Sequence, residues 1–176
     1  MRMATSQIAE AVGGDLVGED RRVDLVTQDS REVVPGALFV PVRGERDGHD
    51  FIGAALAAGA TAYLTARPPE GGTAVVVDDP VRALDDLARW ARDRLPDRVV
   101  GITGSVGKTS TKDLVAAVLG RRHQTAASLR SFNNEIGVPL TILNAPEGTE
   151  ALVVEMGMRG FGHIDHLCTI ARPTIG

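Results

Sequence analysis

Short apolar runs alternate with stretches of helical periodicity along this chain of 176 residues. Apolar runs bounded by glycine, proline or polar residues predict strands at 23–27, 37–42, 61–65, 74–77, 99–102, 123–126 and 150–155. Helical periodicity and capping residues predict helices over 7–12, 51–58, 80–95, 109–119, 139–143 and 163–171, with Ser6 and Asp50 as the N-caps of the first two. Because strands alternate with helices, we expect an α/β fold with mostly parallel sheets.

The helix predicted over 80–95 is amphipathic and begins at a proline. Its apolar face carries Leu84, Leu87, Ala88 and Ala91, while Asp85, Asp86, Arg89 and Arg92 are expected to point mostly outward. We place a domain boundary just before this helix. Residues 1–79 then form a small N-terminal α/β domain, and residues 80–176 form a second domain with a mostly parallel sheet.

The last residues, Thr174 and Ile175, begin a further apolar segment just before the chain stops. A parallel sheet cut at that point leaves an unfinished core and an exposed edge. We therefore expect the second domain to be truncated and the chain to be a fragment of a longer protein.

The composition is that of a globular protein, with 43% hydrophobic residues and a net charge of −4. Scattered arginines and few aromatic residues give no reason to expect a nucleic-acid partner. No apolar run approaches the roughly 20 residues of a membrane span, and no signal peptide is recognisable. The single cysteine, Cys168, fits a reducing compartment, so we expect a cytoplasmic protein.

Residues 99–110 carry the clearest chemical signal in the chain. They predict a short buried strand, a glycine-broken loop and the start of a helix. The N–H groups of such a loop and the positive end of the following helix bind phosphate groups. Lys108 supplies a cation for the outer phosphates, and the hydroxyl of Thr109 is suited to Mg²⁺.

The glycine spacing of this loop is shorter than the usual one. The usual phosphate loop would need a glycine at Ile102, whereas this chain has Gly101, Gly104 and Gly107. The alternative interpretation is a glycine turn with a surface lysine. The chain has only two lysines and is otherwise arginine-based, so a lysine at this loop favours the phosphate interpretation.

Glu155 lies at the carboxyl end of the strand predicted over 150–155. Ligands of open α/β sheets bind at that end of the strands, so Glu155 is a candidate magnesium ligand opposite Thr109. The alternative is a carboxylate that only caps the following glycine-rich loop.

Three polar segments are further candidates. In 133–135, asparagines that precede a helix could cap it or bind a substrate, and chemistry alone favours capping. The segments 29–31 and 47–50 follow strands of the first domain and could face one pocket that suits a diphosphate or uracil. Solvated loops are the alternative.

Together these segments resemble the Mur ligase family. Gly101-Ile-Thr-Gly-Ser-Val-Gly-Lys-Thr109 resembles its phosphate loop. Segments 29–31, 35–40 and 47–51 look like its N-terminal domain, and Asn133-Asn-Glu-Ile-Gly-Val-Pro139 and 155–160 resemble the last ligase of the series. The resemblance implies an ATP-dependent ligase of peptidoglycan precursor synthesis.

The same resemblance implies the cofactors, substrates and site residues. ATP and Mg²⁺ would be the cofactors, and UDP-N-acetylmuramoyl-tripeptide and D-alanyl-D-alanine would be the substrates. ATP would be cradled by Gly104, Ser105, Val106, Gly107, Lys108, Thr109 and Ser110. Lys108 and Glu155 would be the catalytic residues, Thr109 and Glu155 the metal ligands, and Ser30, Arg31, Gly48, His49 and Asn134 the substrate contacts.

Two other functions stay open. One is the preceding ligase of the series, which adds the diamino acid, although a Thr-rich loop would then be expected in place of Ser131-Phe-Asn-Asn-Glu135. The other is a nucleotide-binding module without ligase chemistry. The family's central domain continues beyond residue 176 and is followed by a third domain, so we expect the chain alone to be inactive without the remainder of the ligase.

Overall fold

A computed structural model describes residues 2–129 and 132–176, so part of the polar loop predicted around 128–135 lies outside the described residues. The chain divides into two compact units, the first extending to Leu87 and the second beginning at Ala88. The division falls inside helix α3, Pro80–Arg92. The boundary between residues 79 and 80 stays a prediction.

The first unit contains a five-stranded sheet in the order β2-β7-β6-β5-β4. Its strands are β2 (Asp15–Val17), β4 (Leu25–Thr27), β5 (Ala37–Phe39), β6 (Ala62–Thr65) and β7 (Ala74–Val76). All neighbours are parallel except β2, which runs antiparallel to β7. A separate antiparallel pair joins β1 (Met3–Ala4) to β3 (Arg22–Val23). The single strand predicted over 23–27 is therefore two short strands with different partners.

Two short helices lie wholly within this unit, α1 (Thr5–Val12) and α2 (Ile52–Ala57). The predicted N-caps were wrong at both. Ser6 lies inside α1, where its hydroxyl donates to Asp20, 2.7 Å away. Asp50 lies in a 3-10 turn, Gly48–Phe51, that precedes α2 and is capped by Asp47. The core of the unit includes Val33, Ala37, Phe39, Ile52, Ala55, Tyr63 and Ala74.

The second unit contains a parallel three-stranded sheet in the order β8-β10-β9. The strands are β8 (Val99–Ile102), β9 (Thr125–Ala127) and β10 (Ala151–Glu155). Helices α4 (Lys108–Leu119), α5 (Gly137–Leu143) and α6 (His163–Ala171) follow the three strands. Ile175 forms a parallel bridge to Val100, on the edge of β8 away from β10.

The prediction that Arg92 faces outward was wrong. Its side chain is only 4% exposed, and its guanidinium donates to the carbonyl oxygens of Ala171 (2.7 Å), Pro96 (3.1 Å), Leu95 (3.3 Å) and Arg172 (3.4 Å). Arg92 lies four positions after Ala88 and therefore on the same helix face, so its side chain points inward with the apolar residues of that face. The guanidinium thereby ties the end of α3 to the end of α6. Asp85 is also buried, contrary to expectation.

The register of β8 and β10 positions the candidate site. Ile102 pairs with Glu155, so these adjacent strands end side by side, and both are followed by glycine-containing loops. All five residues of β10 are buried, as expected for the central strand of a sheet covered on both faces. Among the described residues, no helix combines the length and the apolar character that crossing a membrane requires.

Candidate active site

The loop between β8 and α4 has a backbone that glycine alone adopts readily. Gly104 and Gly107 have φ values of +146° and +79°, a region where an L side chain is strained. Gly107 is also the N-cap of α4, and a glycine has no side chain with which to cap this helix end. The first N–H groups of a helix lack partners within it and carry a positive partial charge, so this end of α4 suits an anion.

Lys108 is the first residue of α4, and its ammonium turns back across the loop. Its Nζ donates to the carbonyl oxygen of Gly104, 2.7 Å away. The structure therefore brings together the glycine loop, the helix N-terminus and a cation, which are the parts that a phosphate group needs.

Thr109 and Glu155, predicted as a pair of metal ligands, lie in direct contact. The Thr109 hydroxyl donates to Glu155 Oε2 at 2.9 Å. Glu155 is only 1% exposed, and its backbone N–H donates to the hydroxyl of Ser128 at 3.0 Å. The contact follows from the fold, because α4 begins after β8 and β8 ends beside Glu155 on β10.

The donor chemistry of this pair fits Mg²⁺. A hydroxyl and a carboxylate are hard oxygen ligands, and a hydroxyl that donates its proton to Glu155 keeps lone pairs for a cation. No group of three or more His, Cys, Asp and Glu side chains suited to a metal ion occurs in the part of the chain that the structure describes. Mg²⁺ commonly uses one or two protein ligands together with substrate phosphates, so two oxygen donors beside a phosphate loop suffice.

The two adjacent asparagines have different partners. Asn134 Oδ1 accepts from the backbone N–H groups of Gly137 (2.8 Å) and Ile136 (3.3 Å), so it caps the start of α5 as chemistry alone suggests. Asn133 instead donates from Nδ2 to Glu155 Oε1 at 2.8 Å. Sequence reasoning missed Asn133 as a site residue, and the doublet of asparagines was the only signal for it.

The first unit has a cavity of about 420 Å³. Its lining includes Ser30, Arg31 and Gly48, three of the residues predicted to contact the UDP-sugar, together with Arg46 and Phe51. The guanidinium carbon of Arg46 lies 4.4 Å from the centroid of the Phe51 ring, a cation–π contact. The cavity thus combines two arginines and the Asp29 carboxylate, which is paired with Arg31, with an aromatic ring and a close glycine backbone.

His49, the fourth predicted substrate contact in this unit, is buried and has internal partners at both ring nitrogens. Nδ1 lies 2.7 Å from Asp47 Oδ1, and Nε2 accepts the backbone N–H of Ala66 at 3.1 Å. The Nε2 contact requires an acceptor there, which places the proton of a neutral ring on Nδ1, toward Asp47. His49 is not part of the cavity lining.

Two carboxylates hold the loops of this unit in place. The Arg31 side chain donates to both oxygens of Asp29, and with the Arg31 backbone N–H it lowers the pKa of Asp29 to about 2. Asp47 accepts from the His49 backbone N–H, the His49 ring and Arg67, and these contacts hold its pKa well below the usual range. Both carboxylates therefore stay ionised at neutral pH.

A parallel sheet whose first strand leads through a glycine loop and a lysine into a helix defines a phosphate-loop α/β protein. Comparison with known families is more specific. The pattern described as the Mur ligase middle domain matches residues 102–176, and that described as the Mur ligase family, catalytic domain, matches residues 22–96. The chain belongs to the Mur ligase family.

Individual relatives agree with this assignment. The UDP-N-acetylmuramoyl-tripeptide--D-alanyl-D-alanine ligase of Bacillus subtilis is 42% identical over 98% of the chain. The solved D-alanyl-D-alanyl ligase of Acinetobacter baumannii aligns with a TM-score of 0.90 at 27% identity over 98% of the chain. The MurF ligase of Thermotoga maritima, solved in complex with ADP, aligns over 86% of the chain with a TM-score of 0.75 and 39% identity.

These relatives are longer than this chain. The chain spans 40% of the Bacillus subtilis protein, 40% of the Acinetobacter baumannii chain and 36% of the Thermotoga maritima chain.

Proposed function

We propose that this chain is part of an ATP-dependent ligase that joins D-alanyl-D-alanine to UDP-N-acetylmuramoyl-tripeptide. The observation that carries the proposal is the contact between Thr109 and Glu155 next to the glycine loop and Lys108. The names of the most similar relatives support the choice of substrates. In this proposal residues 1–79 bind the UDP-sugar and residues 80–176 bind ATP.

The proposed reaction has two steps. The terminal carboxylate of the tripeptide attacks the γ-phosphorus of ATP, which gives an acyl phosphate and releases ADP. The amine of D-alanyl-D-alanine then attacks the acyl carbon, so that an amide bond forms and phosphate leaves. The first step concentrates negative charge on the transferred group, and this charge is what the protein has to stabilise.

The residues of the second unit have matching roles. The loop from Gly104 to Gly107 and the first turn of α4 bind the phosphates through backbone N–H groups. The Lys108 ammonium exchanges the Gly104 carbonyl for phosphate oxygens and offsets their charge. Thr109 and Glu155 would hold Mg²⁺, which supplies further charge stabilisation when bound.

The cavity of the first unit has the features that a UDP group needs. Arg46 provides positive charge for a diphosphate, Arg31 adds a guanidinium that is paired with Asp29, and the Phe51 ring provides an apolar surface. Ser30 adds a hydroxyl, and the backbone of Gly48 allows close approach. His49 contributes by fixing this loop through its buried hydrogen bonds. We place the enzyme in the cytoplasm, where its single cysteine stays reduced.

Calorimetry of the chain with ATP and Mg²⁺ tests the nucleotide site. Lys108→Ala is expected to weaken binding at least about tenfold, because one charge-assisted phosphate contact is lost. Arg121→Ala is the control, since Arg121 is an exposed cation just beyond the opposite end of α4. Equal losses in the two variants, or no binding by the unaltered chain, would contradict the proposal.

Binding of UDP-N-acetylmuramoyl peptides tests the substrate. The tripeptide form is expected to bind more tightly than the dipeptide form, which the preceding ligase of the series uses. Arg31→Ala is expected to weaken both, whereas Arg21→Ala removes an exposed cation that does not line the cavity and leaves both unchanged. Preference for the dipeptide would point to the preceding ligase, and ATP binding without any UDP-peptide binding would point to a nucleotide-binding module.

A further inference from the structure

The two carboxylate oxygens of Glu155 have different partners. Oε2 accepts the hydroxyl of Thr109 at 2.9 Å, and Oε1 accepts the side-chain amide of Asn133 at 2.8 Å. The Glu155 side chain is almost fully buried, so these contacts take the place of water. The carboxylate is therefore fixed at both oxygens, and Oε2 is the oxygen on the side of the proposed cation.

Asn133 is itself fixed by the loop that follows β10. Its backbone carbonyl accepts the N–H of Gly157 at 2.7 Å. A Cβ on Gly157 would lie 2.9 Å from Cγ and Oδ1 of Asn133, closer than real side chains approach. Gly157 thus allows the Asn133 side chain to lie against the loop backbone, from where its amide reaches Glu155.

Fixing a carboxylate in this way matters for a cation with strict geometry. Mg²⁺ requires a nearly ideal octahedral arrangement, whereas a glutamate carboxylate can rotate about three side-chain bonds. Partners that orient metal ligands typically change metal affinity by 10- to 100-fold. An amide donor on Oε1 prevents that oxygen from turning toward Thr109, and it leaves Oε2 facing the hydroxyl.

We propose that Asn133 is a positioning residue that holds Oε1 of Glu155 so that Oε2 and the Thr109 hydroxyl meet a divalent cation together. This inference rests on the proposed Mg²⁺–nucleotide site. It assigns different roles to two adjacent and chemically identical side chains, because Asn134 caps α5 and has no contact with Glu155 among those described.

The test compares Asn133→Ala with Asn134→Ala in the intact chain. Calorimetry measures ADP affinity with Mg²⁺ and with EDTA, and the ratio of the two affinities reports the contribution of the cation. Asn133→Ala is expected to lower the Mg²⁺-dependent affinity about 10- to 100-fold and to leave the affinity in EDTA unchanged. Asn134→Ala is expected to lower the melting temperature, through loss of the cap, and to keep the ratio of the unaltered chain.

A ratio unchanged by Asn133→Ala would overturn the positioning role while leaving the proposed function standing. A wild-type chain whose ADP affinity depends on neither Mg²⁺ nor Lys108 would overturn the proposed function, and the inference with it. Should Asn133→Ala fail to fold, NMR of the unaltered chain replaces it. Adding Mg²⁺ to the ADP complex is then expected to shift the Asn133 side-chain amide signals more than those of Asn134, and equal shifts would refute the inference.

Discussion

Replacing Gly48 by alanine is expected to destabilise the first unit through a clash with the backbone. An ideal Cβ on Gly48 would lie 2.4 Å from the backbone nitrogen of Val42, 2.7 Å from its carbonyl oxygen and 2.8 Å from Cα of Pro41. All three atoms belong to the main chain, so no side chain can rotate away. The N–H of Gly48 also donates to the Val42 carbonyl at 3.0 Å, and this hydrogen bond fixes the close approach.

The loss of stability expected for Gly48→Ala depends on how far the added methyl group displaces its neighbours. Adding one methyl group to a well-packed site typically costs about 1–3 kcal/mol. Here the contacts are with backbone and the Gly48–Val42 hydrogen bond is disturbed as well, so we expect about 3 kcal/mol of lost stability.

Gly53 provides a matched control only five positions away. It lies in α2, it is exposed, and a Cβ placed on it meets no heavy atom of the described residues within 4 Å. Alanine is favoured over glycine inside a helix by about 0.5–1 kcal/mol, so Gly53→Ala is expected to stabilise the chain by that amount. The same chemical change therefore has opposite signs at the two positions.

Urea unfolding followed by circular dichroism measures both variants. We expect their free energies of unfolding to differ by about 4 kcal/mol, with the unaltered chain in between. Similar midpoints for the two variants would refute the packing argument. A Gly48→Ala variant with unchanged stability and lost UDP-sugar binding would show that Gly48 acts through the ligand and that the loop has room for a methyl group.

Two further predictions concern buried and charged contacts in each unit. Arg92→Met is expected to lower the free energy of unfolding by about 3 kcal/mol, because several carbonyl groups lose a charged donor. Arg94→Met, at an exposed site, is expected to cost less than about 1 kcal/mol. Equal losses of the two variants in urea unfolding would contradict this prediction. The pKa of Asp29 falls from 3.8 to about 2 in the folded chain, so its ionised form stabilises the fold above pH 3.8, and this stabilisation is lost as the pH falls through about 2. Asp29→Asn is expected to remove this dependence of the free energy of unfolding on pH. A ¹³C titration of the Asp29 carboxyl in the unaltered chain with a midpoint near 3.8 would exclude the contact with Arg31.

Two elements were predicted to the residue, whereas the helix predicted over 80–95 ends at Arg92. β8 has the predicted bounds because a short apolar run defines it, and α6 has the predicted bounds because a glycine precedes it and a proline follows it. The α/β fold with mostly parallel sheets was also confirmed, and it was predictable because strands alternate with helices along the chain. β1 and β2 were not predicted, since they have two and three residues and exist only through pairing with β3 and β7.

The contact between Thr109 and Glu155 could be predicted from the sequence, whereas the hydrogen-bond partners of His49 could not. Parallel strands that lie side by side place their carboxyl ends together. A threonine that follows β8 and a glutamate at the end of the adjacent strand β10 are therefore expected to lie close to each other. The partners of His49 include the backbone N–H of Ala66, 17 positions along the chain. No local pattern distinguishes a histidine that binds a ligand from one that holds two loops together.

The two asparagines show how a shift of one residue decides between a structural role and a role in the site. In the sequence both precede a helix and both are good caps. The start of α5 at Gly137 makes Asn134 the residue whose carbonyl group reaches the first free N–H groups, because it lies three positions before that glycine. Asn133 instead accepts the N–H of Gly157, in the loop after β10, and its side-chain amide donates to Glu155. Helix capping by Asn134 therefore leaves Asn133 as the asparagine that binds the carboxylate.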